Sequence, residues 1–287
     1  MFVPYKTDVP MYRWPWMNCL IIVGTCIVSA SFLAEVRYAS MYSEPDLLFL
    51  VLGESIWSWP GHALLHAGSI HLLGNMLFLF VFGNAICAKV GNVAFLPLYF
   101  GLALVSGATH MLIDGDPAIG ASGAINGIVG MFAILYPLNE VSVFYMLFLR
   151  IGVFYMSSIW LILLWFGFDV LGAATGGGGV AYWAHLGGLA AGVATAVALL
   201  RLRIISMDPG ERTLLEVLGL DRPAAPARAG VLPAAQAAPG MRTTHADNVI
   251  RFQCACGRML RVPQTHAGKQ ARCPACGAPV RIPTHMA

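Results

Sequence analysis

Six apolar runs long enough to cross a bilayer recur along the chain, at roughly residues 16–35, 66–88, 92–113, 119–137, 152–172 and 180–200. They predict an all-α membrane protein, a bundle of six transmembrane helices. The apolar stretch from Val141 to Gly172 is longer than one span requires. Val141 to Arg150 reads as a loop or interfacial piece before the fifth helix, with a single long tilted helix as the alternative. The first run is followed by no small-residue cleavage site and by further apolar runs, so it reads as a retained helix. Residues 1–15 then form an N-terminal segment and 16–203 the membrane domain. Residues 204–248 are a linker, Ala- and Pro-rich from 221 on, and 249–287 a small Cys-bearing unit.

Composition sharpens this division. The 287 residues are 58% hydrophobic and 11% charged, with a mean hydropathy of +0.71. A soluble domain carries about 25% charged residues. Only Lys6, Arg13, Arg37, Lys89 and Arg150 precede Arg201, which leaves 12 of the 17 basic residues for the tail. A net charge of +3 without a basic stripe makes nucleic acid an unexpected partner. Lys6, Arg13, Lys89, Arg201 and Arg203 fall on one side of a six-span arrangement. Glu35, Glu44, Asp46, Glu54, Asp114 and Asp116 fall on the other, with Arg37 the basic exception. Both termini are therefore expected to be cytoplasmic, in a bacterial-type inner membrane.

Polar groups inside the apolar runs are costly, and three clusters require a reason. Gly120-Ala-Ser122-Gly123 follows the Asp114-Gly-Asp116-Pro117 turn, which places Ser122 at the N-terminus of the fourth helix. Backbone amides there lack partners within the helix and suit a developing oxyanion. Taken alone, the motif more often marks a small-residue helix contact. His185, on the sixth helix, could be a structural hydrogen-bonding residue, or the base that takes the serine proton. Asp169 is the only acid of the fifth helix. It is placed away from the serine end, so a Ser–His dyad is the more economical expectation. His71 and Asn75, at i and i+4, share a face of the second helix and could donate to an oxyanion. His62 and His66 lie just before them. A metal site built from these histidines is the rival reading, but no acidic ligand or His-Glu-x-x-His pattern accompanies them.

Together His62-Ala-Leu-Leu-His66, His71-x-x-x-Asn75-Met76, Gly120-Ala-Ser122-Gly123-Ala124 and Ala184-His185-x-x-Gly188-x-x-x-Gly192 resemble the rhomboid family of intramembrane serine proteases over about residues 15–203. The resemblance implies a six-helix bundle with a cavity open to the non-cytoplasmic side, and single-span membrane proteins as substrates. It implies Ser122 as nucleophile and His185 as base, with no cofactor for catalysis. His71, Asn75 and the Ser122 amide would stabilise the oxyanion, with Gly120, His66 and His62 in support. Gly188 and Gly192 would let helix six pack on helix four. Two positions depart from the family pattern. Trp57-Ser58 stands where Trp-Arg is common, so the anchoring of the first loop is expected to differ. Asn126 stands where an aromatic would stack on the histidine, and it could instead hydrogen-bond the imidazole. A catalytically inactive client-binding relative and a small transporter are the alternatives.

Of seven cysteines, Cys19, Cys26 and Cys87 lie in spans and read as packing residues. Cys254-Ala-Cys256-Gly257 and Cys273-Pro-Ala-Cys276-Gly277 supply four thiolates in two close pairs, enough for a tetrahedral structural Zn²⁺. So small a unit has too little core to fold alone. Two disulfides are the rival, disfavoured in a reducing cytoplasm. The unit resembles a zinc ribbon with a hairpin between the pairs, and His266 is an alternative ligand. Four protein ligands leave no open position, so a docking role for a protein partner is expected rather than catalysis.

Overall fold

A computed structural model of the chain describes residues 2–42, 46–147, 150–176, 179–208, 210–221, 249–254, 256, 259–274 and 276–283. The chain divides into two compact units: residues up to Ser206 with Thr213–Leu215, and Met207–Arg212 with residues from Glu216 onward.

The first unit is mostly helical. Its six long helices are α1 (Trp16–Tyr42), α2 (Ser69–Val90), α3 (Asn92–Ile113), α4 (Ser122–Leu135), α5 (Ser158–Thr175) and α6 (Tyr182–Arg201). Five are long and apolar enough to cross a membrane; α4 is not. Its 14 residues rise about 21 Å, short of a ~30 Å hydrocarbon core. All of α4 except Ser122 and Asn126 is buried, so it stands inside the bundle and need not match the bilayer itself.

Glycine decides how α4 is surrounded. A Cβ added at Gly188 would overlap the Gly123 carbonyl, one at Gly192 the Gly127 carbonyl, and one at Gly130 the Leu189 carbonyl. Helices α4 and α6 therefore touch backbone to backbone, the contact that small-xxx-small spacing permits in lipid. In α2, Leu79–Gly83 is π-helical. The side-chain amide of Asn18 on α1 donates to the Leu79 carbonyl at 2.9 Å and to Asn84 Oδ1 at 2.8 Å. A carbonyl freed by the wide turn thus gains a partner from a neighbouring helix.

The expected interfacial piece after α4 is instead a β-hairpin. Strands β2 (Glu140–Leu147) and β3 (Arg150–Ser157) pair antiparallel, with Val143 opposite Phe154. Strand β1 (Phe2–Thr7), within the expected N-terminal segment, pairs with β2 through a bulge between Pro4 and Lys6. Asp8 Oδ1 accepts from Asn139 Nδ2 at 2.8 Å and from the Glu140 amide at 3.0 Å, tying the strand to the hairpin. The mostly helical bundle expected from the sequence thus carries, in addition, a three-stranded sheet in the order β1-β2-β3. The hairpin also delays the fifth helix to Ser158. Of the expected linker, residues 222–248 lie outside the described residues. Before them, Leu214–Val217 is a helical turn, with Thr213 and Leu215 buried.

In the second unit, β4 (Val249–Gln253) pairs with β5 (Met259–Pro263), and β6 (Gln270–Arg272) with β7 (Pro279–Arg281). Each cysteine pair lies where one hairpin reverses, not at the two ends of a single hairpin as expected. The small core is Cys254, Leu260 and Cys273, with Phe252, Cys276 and Val280 against it.

Candidate active site and cysteine centre

Ser122 opens α4, where the Ile125 amide makes the first intrahelical bond, to the Ala121 carbonyl. The Ser122, Gly123 and Ala124 amides therefore have no partner within the helix. Two histidines of the preceding loop fix the residues leading in. The His62 carbonyl accepts from the Gly120 amide at 2.9 Å, and His62 Nδ1 donates to the Ser58 carbonyl at 3.0 Å. His66 lies between α1 and the serine loop. Ser29 Oγ, 2.7 Å from the Leu64 carbonyl, donates to it and so accepts from His66 Nδ1 at 2.9 Å. That tautomer leaves Nε2 to accept the Ala121 amide at 3.4 Å. Gly120 has φ +130°, a region L side chains rarely adopt, and a Cβ there would sit 3.0 Å from His71 Cε1. The glycine thus lets the serine loop close on His71.

His185 lies one turn into α6, at the same end of the bundle. Its Nε2 is 2.8 Å from Ser122 Oγ. Its Nδ1 is 2.9 Å from Asp169 Oδ1. The expectation for Asp169 is thereby corrected. Helices α4, α5 and α6 alternate in direction, so the C-terminal part of α5 returns to the end where α4 begins. Asn126 does not reach the imidazole as suggested. Its Nδ2 donates to the Ser122 carbonyl at 3.0 Å. An aromatic does approach His185, but from its own helix: the Tyr182 ring stands edge-on at 6.1 Å between centroids. Asn75 Nδ2 donates to the His71 carbonyl at 3.1 Å, which leaves its second N–H available.

His71, Asn75, Ser122, Asn126 and His185 line one cavity of about 440 Å³. Its remaining wall is largely apolar, including Ile70, Phe78, Ile125 and Val180. In the first loop Ser58 is fully buried, and its Oγ donates to the Ser55 carbonyl at 2.5 Å. Leu52 pairs with Ala118, joining this loop to the turn before Ser122.

Among the described residues, the cysteines are the only group of three or more candidate ligands close enough to share an ion, and the histidines form no such group. The Sγ atoms of Cys254, Cys256, Cys273 and Cys276 all lie within 4.8 Å of one another. Cys254 to Cys276 is 3.7 Å and Cys256 to Cys273 is 3.8 Å. Tetrahedral ligands about 2.3 Å from zinc stand about 3.8 Å apart, whereas bonded sulfurs stand about 2.05 Å apart. The set fits zinc and does not fit disulfides. A hydrogen bond from the Ala278 backbone favours the Cys276 thiolate. Hydrogen bonding with Cys256, loss of water, and hydrogen bonding with Cys273 and Cys254 outweigh it and push that thiol up to about 12. Crowded thiols resist ionising together unless a cation joins them. Gly277, at φ +67°, returns its amide to the Cys273 carbonyl at 2.8 Å, while Gly257 lies outside the described residues. His266 is exposed and stands apart from the cluster.

Fold and site define a helical integral membrane protein with a serine hydroxyl and an imidazole joined between two inner helices. The Rhomboid domain family model matches residues 53–202, half of the chain, and the protein belongs to the rhomboid family. It is similar to "Rhomboid protease GlpG" of Haemophilus influenzae, at 26% identity over 128 residues, 42% of this chain and 64% of that one. It is also similar to the Klebsiella pneumoniae (strain 342) protein of that name, at 31% over 153 residues, 53% of this chain and 50% of the relative. The Enterobacter sp. (strain 638) protein matches at 29% over 143 residues. The chain thus spans from about half to under two thirds of the length of these relatives.

Proposed function

We propose that the protein is an intramembrane serine endopeptidase that cleaves single-span membrane proteins near the non-cytoplasmic face of the membrane. The observation that carries this reading is the 2.8 Å approach of His185 Nε2 to Ser122 Oγ on a cavity large enough for an unwound peptide. Ser122 Oγ attacks the scissile carbonyl while His185 accepts its proton. The tetrahedral oxyanion forms beside the partnerless amides at the start of α4, with His71 and the second N–H of Asn75 as further donors. His185 then protonates the leaving amine. A water molecule releases the ester by the same steps in reverse roles.

The chain is read as a membrane domain over 16–203, a linker over 204–248 and a ribbon over 249–287, with both termini cytoplasmic. In the ribbon, Cys254, Cys256, Cys273 and Cys276 would hold Zn²⁺. The metal would supply the fold that its small core cannot, and a protein partner is the expected ligand of the ribbon.

Co-expression with a tagged single-span substrate tests the activity. Cleavage is expected from the wild type and its loss from Ser122→Ala and from His185→Ala. A wild type that captures substrate uncut would favour the client-binding reading.

A further inference from the structure

We infer that Asp169 is the positioning carboxylate of His185, so that the site is a Ser–His–Asp triad assembled from three membrane helices. The inference rests on the serine peptidase reading above. The three side chains lie in series: Ser122 Oγ is 2.8 Å from one ring nitrogen of His185, and Asp169 Oδ1 is 2.9 Å from the other. A carboxylate can only accept, so His185 Nδ1 carries the hydrogen between them and Nε2 is left bare to take the serine proton.

The placement of Asp169 is costly in itself. It is the sole acid of α5, on a helix whose neighbouring Phe168 and Val170 are exposed, as expected of a lipid-facing surface. A mid-helix acid costs about 2.5–3.5 kcal/mol on insertion scales, so its retention asks for a partner. The side chains of His185 and Asp169 are only 14% and 17% exposed, which keeps water from competing for the bond.

A second contact fixes the register. Gly172 lies three residues after Asp169, and Tyr182 three residues before His185. A Cβ at Gly172 would collide with the Tyr182 ring. The ring therefore seats in the gap that the glycine leaves, locking α5 against α6 one turn from the His185–Asp169 hydrogen bond.

Asp169 does not exchange its proton in the reaction. When Ser122 Oγ forms its bond to the carbonyl carbon, the hydroxyl proton moves to Nε2 and the imidazole becomes a cation. The carboxylate offsets that charge where little water can. The cation then gives the Nε2 proton to the leaving nitrogen as the peptide C–N bond breaks.

The test uses purified full-length protein in micelles with a tagged single-span substrate, measuring kcat, KM and the fraction of folded protein. Asp169→Asn and Asp169→Ala are expected to lower kcat per folded molecule about 10²-fold or more, with KM within about twofold. Asp169→Glu is expected to recover at least a tenth of wild-type kcat. A kcat per folded molecule within twofold of wild type in Asp169→Asn or Asp169→Ala would overturn the triad. So would a loss that merely tracks the amount of folded protein. In both cases Ser122→Ala and His185→Ala remain inactive. Cleavage by Ser122→Ala would instead remove the peptidase reading itself.

Discussion

Around Ser122, side chains are held by what is missing from neighbouring residues. Gly123, Gly127 and Gly130 meet Gly188, Leu189 and Gly192 backbone to backbone, and Gly172 makes room for Tyr182. Around Cys273 there is little to pack: among the described residues the cluster is Cys254, Leu260 and Cys273 with Phe252, Cys276 and Val280 against it, and only Ile250 and Ile282 are buried besides. In lipid, apolar surface gives helices little reason to associate, so close contact and interhelical hydrogen bonds must set the geometry. In water, a unit this small lacks enough apolar burial to offset its chain entropy, and coordination bonds to the proposed metal would take that role. The bundle should therefore be sensitive to added atoms, and the ribbon to lost ligands.

The largest effect is expected in the ribbon. Chelation, or Cys273→Ser, should abolish its fold, seen as lost metal by elemental analysis and rapid proteolysis of residues 249–283, while substrate cleavage by the helical unit persists. A ribbon that stays protease-resistant without metal would erase the contrast. In the bundle, Gly192→Leu should drive α6 off the Gly127 carbonyl at a cost above about 4 kcal/mol, leaving little folded protein on detergent extraction. Gly172→Ala adds only one methyl, but against a ring. The expected result is a kcat loss of about tenfold at near-normal expression, because Asp169 shifts relative to His185. The smallest effect is expected for Asn18→Ala, which removes two hydrogen bonds near the π-turn and should cost about 1–3 kcal/mol in thermal stability without changing KM.

Polarity within apolar runs made much of the site legible. His71, Asn75, Ser122 and His185 each stand out because a membrane helix carries such groups only for a reason, and the structure gathers them on one cavity. Depth was harder to read than identity. Asp169 was visible as the sole acid of its helix, but periodicity gives the face of a helix and not which end of a neighbour it meets. The β2–β3 hairpin was hidden for a related reason. From Val141 to Phe154 apolar residues occupy both faces, so neither the alternation of a strand nor the stripe of a helix emerges. The burial of α4 likewise depends on α6 wrapping it through glycines, a tertiary relation that hydropathy does not carry. In the second unit, cysteine spacing marked the four thiols that the structure gathers within 4.8 Å, while their placement at two separate turns depended on strand pairings that short polar segments do not announce.

The most direct measurement of the Ser122–His185 pairing is mass-spectrometric mapping after treating the membrane-embedded protein with a fluorophosphonate, which forms a covalent bond to an activated serine. The adduct is expected on Ser122 in the wild type and is expected to fall at least about 10²-fold in His185→Ala. An adduct on another serine, or equal labelling of Ser122 without His185, would contradict the assignment.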